Sequence, residues 1–256
     1  MWLAALDAVV WSSLWLALAA AALLAASARA LGVAPPTPLL ALAFGGTLAV
    51  YAVDRLRDVA QDRATAPERT AFVERHRSGL TSLAGAGAIA AAGSALWLGP
   101  RAVGLAVLVG ALGLAHRHLK RWLLVKPIYL TFAWTAVPVG LPALHDRGAQ
   151  HVGFAAAVVF ACVLANVALS NLRDREGLAA RLGPRRTLAV ASAILLAGLG
   201  AALLAPAPVR ALAALPVAMG LAVAGYRPTE RYGGLVVDGA LLVGALAALA
   251  LGPVAS

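Results

Sequence analysis

A single cysteine, Cys162, in 256 residues leaves no room for a disulfide framework or a cysteine-based zinc site. It lies in an apolar run and reads as a small packing residue rather than a reactive thiol. Charge is scarce too. Asp, Glu, Lys and Arg make up 12% of the chain, against about a quarter in an ordinary soluble domain. Acids are the rarer sign, 11 against 21 Lys+Arg, and the only lysines are Lys120 and Lys126. What fills the chain instead is apolar: 62% hydrophobic residues and a mean hydropathy of +0.85. That excludes a soluble enzyme, a disordered chain and a coiled coil. It leaves a membrane protein, read as a single domain over residues 1–256. The net charge of +10 would point to nucleic acid in a soluble chain. Here the basic residues mark cytoplasmic loops, and no nucleic-acid partner is expected.

A helix needs about 20 apolar residues to cross the hydrocarbon layer. The uncharged stretches between charged residues supply nine candidates. They follow Asp7, Arg29, Arg77, Arg101, Lys126, Arg147, Arg186, Arg210 and Asp238. The two shortest, Arg101 to Arg117 and Arg210 to Arg227, enclose 15 and 16 residues. An arginine at a helix end can snorkel to the interface, so both are retained. Only Asp7 carries charge ahead of the first stretch, which therefore reads as a span and not a cleavable signal. The loops after the even-numbered spans hold 17 Lys/Arg and the other loops hold 4. This asymmetry places the N-terminus in the cytoplasm and the C-terminus outside. The expected fold is an all-α integral membrane bundle of nine transmembrane helices, packed through abundant Gly and Ala.

Seven of the 11 acids fall on the expected cytoplasmic side in two segments. The first holds Asp54, Asp58 and Asp62, which share one face if the helix continues, with Glu68 and Glu74 beyond them. Stacked carboxylates repel, so a cation belongs between them: Arg55, Arg57, or a divalent ion such as Mg²⁺. A salt-bridged, solvated loop explains the same spacing equally well. In the second segment Asn166, Ser170 and Asp174 share a face, followed by Glu176. Interhelical hydrogen bonding accounts for Asn166 as readily as a site does. The segments echo each other. Asp54-Arg55 and Asp174-Arg175 are 120 residues apart, and each is followed by a proline and then Arg-Thr, at Pro67 to Thr70 and Pro184 to Thr187. This suggests two repeat-like halves whose acidic clusters face one cavity. Between them lies a basic patch, His116, Arg117, His118, Lys120, Arg121 and Lys126. Contact with anionic lipids explains that patch; so does a diphosphate head held with Mg²⁺ above an apolar bed for a lipid tail.

These residues resemble the UbiA-type superfamily of intramembrane aromatic prenyltransferases, over essentially the whole chain. The family's first motif, Asn-Asp-x-x-Asp-Arg-x-x-Asp, is similar to Val50-Tyr51-Ala-Val-Asp54-Arg55-Leu-Arg-Asp58. Its second motif, in the menaquinone-pathway branch, is similar to Asn171-Leu-Arg173-Asp174, leading to Gly183 and Arg186-Thr187-Leu-Ala-Val190. A Tyr-x-x-x-Lys pattern resembles His116-x-x-x-Lys120. Both aspartate motifs are partly degenerate: Val50-Tyr51 stands for Asn-Asp, and Leu178 takes the place of the second aspartate of the later motif.

The resemblance implies Mg²⁺-dependent transfer of a prenyl group from a prenyl diphosphate to an aromatic or quinone-precursor acceptor, in a bacterial inner membrane. It implies catalytic roles for Asp54, Asp58 and Asp174, and metal ligation by these three with Asp62. Arg55, Lys120, Arg121, Lys126 and Arg173 would bind diphosphate, and Asn166, Ser170, Asn171, His116 and Tyr129 would line a polar acceptor pocket. Glu176, placed about 200° round a continuing helix from Asp174 at about 100° per residue, is expected to point elsewhere. The competing readings are a non-catalytic relative that binds an isoprenoid lipid, and a small transporter built from two half-bundles.

Overall fold

The structure, a computed structural model, describes residues 2–115 and 125–252. Those residues form helices and turns, with no strand among them. We number the helices α1 (Trp2–Trp11), α2 (Leu14–Ala30), α3 (Thr37–Arg57), α4 (Val59–Asp62), α5 (Pro67–Arg75), α6 (Arg77–Leu98), α7 (Pro100–Leu114), α8 (Lys126–His145), α9 (Val152–Arg173), α10 (Gly177–Leu204), α11 (Ala207–Ala224) and α12 (Tyr232–Leu251). Proline opens several of them, at Pro38, Pro67 and Pro100, where its missing N–H costs nothing.

Seven of these helices, α3, α6 and α8 to α12, are long and apolar enough to cross a membrane. The first expected span is broken. α1 and α2 meet at a 65° bend, where Ser13 adopts the left-handed conformation (φ 72°). Counted as one broken span, they bring the total to eight. The fourth expected span is α7, which at 15 residues is shorter than the other candidates. α10 also bends: Gly183 (φ 74°) and Pro184 interrupt it one turn and a half from its start.

The two most extensively packed pairs are α3 with α6 and α9 with α10. In each, two spans are joined through one of the acidic segments. One core gathers α2 and α9 to α12 around Leu23, Val158, Leu169, Leu215 and Met219. A second gathers α3, α6 and α7 around Leu39, Leu42 and Ala95. Cys162 is buried in the first core, as expected.

Helices without a hydrophobic drive between them associate by close backbone approach. α3 and α6 do so reciprocally. A Cβ on Gly45 would lie 2.6 Å from the Gly87 carbonyl oxygen, and one on Gly87 would lie 2.7 Å from that of Gly45. Gly87→Val is therefore expected to force the pair apart and cost about 1–3 kcal/mol, read as a lower melting temperature in detergent. Gly85→Ala on the same helix, whose Cβ meets nothing within 4 Å, should leave the melting temperature unchanged.

Candidate functional site

The charged ends of α3, α8 and α9 converge on one cavity of about 650 Å³, which α12 also lines. Asp54, Asp58, Asp62, Arg69, Lys126, Asp174 and Glu176 form its charged rim. The two acidic segments thus meet at one site, as the 120-residue echo suggested. Below them the wall turns apolar, with Leu16, Leu42, Ala95, Leu105, Val109 and Val137.

α3 ends as it delivers its aspartates. Asp58 is 8% exposed and caps the helix, its N–H bonding to the Asp54 carbonyl. Its own carbonyl then accepts the N–H of Asp62 in the short α4. The chain is therefore not one continuous helix through the motif, yet all three aspartates line the cavity. Asp62 is held by Arg69 at 2.7 Å, and Arg69 had no role in the sequence reading.

At the second segment α9 stops at Arg173. Arg175 takes a left-handed conformation (φ 55°), and the Glu176 N–H returns to the Asn171 carbonyl at 2.8 Å. This ending overturns the expectation for Glu176. The helix does not continue, so Glu176 turns back to line the cavity and pairs with Lys126. Asp174 is gripped by its neighbour: Arg173 Nε donates to Oδ1 at 2.7 Å and Nη2 to Oδ2 at 2.9 Å. Burial pushes the Asp174 carboxyl up. The Arg173 hydrogen bonds and charge, with Arg69 and Lys126, outweigh burial and hold it below the ordinary carboxylate value. Arg173 also reaches Ser170 Oγ at 3.2 Å. It lies so close over the start of α12 that a Cβ on Gly233 would stand 3.0 Å from its Cδ.

The expected diphosphate-binding set is only partly what the sequence suggested. Arg55 lines the cavity, but its guanidinium donates to the Val10 carbonyl at 3.0 Å and to that of Trp11. It satisfies carbonyls left open where α1 breaks from α2. Arg173 and Lys126 reach the cavity already paired with Asp174 and Glu176. His116, Lys120 and Arg121 lie outside the described residues. Of the expected acceptor pocket, Asn166, Ser170, Asn171 and Tyr129 all line the cavity. Tyr51 lines it too and accepts a hydrogen bond from Trp134 Nε1 at 2.7 Å. Asp238 joins this wall from α12. In the sequence it served only to bound a span, and no periodic signal linked it to Asn166.

The loop before α12 fastens the same end of the bundle. Glu230 accepts the N–H groups of Glu68 and Arg69 at the start of α5, at 3.2 and 2.9 Å. Arg231 pairs with Asp7 at 3.0 Å and Glu68 at 3.4 Å. Among the described residues, no three His, Cys, Asp or Glu side chains stand together so as to hold a metal ion by themselves.

Because Arg55 binds the end of α1, Arg55→Leu should release that helix. Hydrogen bonds to a charged group contribute about 1.5–3 kcal/mol, so amide exchange in α1 is expected to speed up by roughly tenfold or more, with α9 unchanged.

No family model and no curated protein sequence matches the chain. Solved structures do resemble it. The apo structure of a UbiA homolog from Aeropyrum pernix K1 matches with a TM-score of 0.66 at 21% identity, over 89% of this chain and 95% of that one. A digeranylgeranylglyceryl phosphate synthase matches with a TM-score of 0.55 at 12% identity, over 92% of this chain and 94% of that one. At such identities the likeness is one of fold: this chain has the all-helical fold of these two proteins.

Proposed function

We propose that the chain is an intramembrane prenyltransferase of UbiA type, transferring a prenyl group from a prenyl diphosphate to an aromatic or quinone-precursor acceptor. The observation that carries this reading is the cavity itself: acidic clusters from two sequence segments, with Lys126 and Arg173, form a rim above an apolar interior. A polyanionic head and an apolar tail fit that gradient in one orientation.

Mg²⁺ commonly uses one or two carboxylates and completes its shell with water and substrate phosphates. Asp54, Asp58 and Asp174 all line the cavity, and one or two of these carboxylates, with substrate phosphate, would hold such an ion. Bound there, Mg²⁺ would supply charge neutralisation for the leaving diphosphate. The chain's own residues do the rest. Arg173 and Lys126 exchange a carboxylate partner for phosphate oxygen, so the rim is set before substrate arrives. The apolar walls exclude water from the allylic cation. Tyr129 and Trp134 offer π faces to it.

The degenerate motif positions favour a second reading. Tyr51 is hydrogen-bonded to Trp134 where the family motif has an acid, which suits a relative that binds an isoprenoid lipid without turnover. Activity with Mg²⁺ and a panel of prenyl diphosphates and aromatic acceptors separates the two. Asp58→Ala and Asp174→Ala are expected to lower turnover about a thousandfold, roughly 4 kcal/mol; Asp174→Ala also leaves Arg173 unpaired and should lower the melting temperature. Asp62→Ala should act within about tenfold, because Asp62 is committed to Arg69. Prenyl diphosphate binding without turnover would establish the lipid-binding relative; no binding, with or without Mg²⁺, would end the prenyltransferase reading.

We place the protein in a bacterial inner membrane with nine crossings, the broken α1–α2 pair and the short α7 each counting as one. The N-terminus is then cytoplasmic and the C-terminus external. An alkaline phosphatase fused after Ser256 is expected to be active; an inactive fusion beside an active cytoplasmic reporter would overturn the count.

A further inference from the structure

α5 opens without a cap of its own. Its N-cap residue is Ala66, which has no side-chain acceptor, and Pro67 follows. The N–H groups of Glu68 and Arg69, at the second and third helical positions, need partners from elsewhere. Glu230 meets both. It stands 162 and 161 positions away in the chain, in the loop before α12, and its carboxylate oxygens accept these N–H groups, Oε1 at 3.2 Å and Oε2 at 2.9 Å. A carboxylate there also meets the positive end of the helix dipole. Glu230 thus caps α5 from a distant part of the chain.

The next residue holds the same corner. Arg231 pairs with Asp7 of α1 and Glu68 of α5, and lies over the Trp11 ring at 6.0 Å from its centroid. Trp11 meets Phe72 of α5 edge-on at 5.9 Å. Neither Glu230 nor Arg231 lines the cavity.

What α5 brings to the cavity is Arg69. Its backbone N–H is fixed by Glu230, and its Nη2 reaches Asp62 Oδ2 at 2.7 Å. Its charge also acts on Asp174, in the other acidic segment. This placement is held against a cost, because the Arg69 Nε is buried without a hydrogen-bond partner among the described residues. On an unrestrained turn that group would face water. The position of Arg69 is therefore imposed by the backbone that carries it, and Glu230 fixes that backbone.

We propose that Glu230 is a positioning residue for the cavity rim: by capping α5 it sets Arg69 between the two acidic segments, where a polyanionic head is received. Glu230 carries the wrong charge to hold such a head itself and acts through Arg69. The proposal rests on the prenyltransferase reading above and extends its machinery to a loop outside the cavity.

The test uses the full chain in detergent with Mg²⁺ and compares binding of farnesyl diphosphate with that of farnesol, which has the same tail and no charged head. Wild type is expected to prefer the diphosphate by about a hundredfold or more, as two or more hydrogen bonds between charged groups give. Glu230→Ala should cut that preference about tenfold and speed amide exchange at Glu68 and Arg69 about tenfold, with exchange in α9 unchanged. Farnesol affinity should stay within about twofold, which a general loosening of the bundle would not allow. On an Arg69→Ala background, Glu230→Ala should alter the preference by no more than about twofold, because the residue it positions is gone. Glu230→Gln keeps one carbonyl acceptor and should fall between wild type and Glu230→Ala; if Glu230→Ala does not fold, Glu230→Gln decides by the same readouts. A Glu230 variant that keeps the full preference, weakens farnesol in parallel, leaves exchange at Glu68 and Arg69 unchanged, or acts as strongly without Arg69 overturns the proposal. Failure of the underlying reading looks different: wild type itself shows no preference for the diphosphate, and the rim's role falls with it, while faster exchange at Glu68 and Arg69 in Glu230→Ala still establishes the cap.

Discussion

Charge is expensive away from water, and in this bundle the described cavity-facing cations are met by an opposite charge or by backbone carbonyls. Arg173 grips Asp174 with two hydrogen bonds, Arg69 holds Asp62, Lys126 pairs with Glu176, and Arg55 turns to the carbonyls at the end of α1. Much else depends on meeting that requirement. α9 has to stop at Arg173 for Glu176 to swing round to Lys126. α12 has to begin with glycine at 233 for the Arg173 guanidinium to lie over its first turn. The first span has to break for Arg55 to find acceptors. A partly buried pair of this kind adds little net stability but is costly to disrupt from one side only, so it fixes geometry more than it adds energy.

The same pairing gives the site its character. A rim whose cations are already held by carboxylates is preorganised: under the proposed function, an incoming polyanion would exchange one partner for another without ordering loose side chains. Depth sorts the remaining chemistry. Ionic groups stand at the mouth, hydrogen-bonding groups about two turns below, and alkyl side chains beyond. A molecule with a charged head and a long apolar tail is thereby oriented before any specific contact is made.

Glycine and alanine let this arrangement stand in a membrane. The contact of α3 with α6 at Gly45 and Gly87 brings backbones together where a methyl group would not fit. The helix that carries the first acidic segment is thus fixed to its neighbour. The second acidic segment has a similarly extensive partner in α10. Each half of the rim stands on a rigid pair, and rigid elements hold a constellation more closely than loops do.

The membrane-helix class of the protein and much of the cavity's charged lining were legible in the sequence because they follow from composition and period. An excess of apolar residues forces helices, since lipid offers the backbone no partners. Acids are rare enough in such a chain that two clusters 120 residues apart already single out Asp54, Asp58 and Asp174. What spacing cannot encode is where a helix stops. Glu176 was assigned the wrong direction because helical periodicity assumes the helix continues, and a left-handed Arg175 ends it. The commitment of Arg55 to the carbonyls where α1 ends and the meeting of Asn166 with Asp238 join residues 44 to 72 positions apart. No local pattern reports such contacts. They are decided by helix packing, in which each helix turns its sparse polar residues toward whichever neighbour can satisfy them. The sequence by itself determined which residues are the rare charged ones in an apolar chain. The tertiary structure decided which of them are already partnered and which face the cavity, because pairing in a low dielectric is a property of neighbours in space.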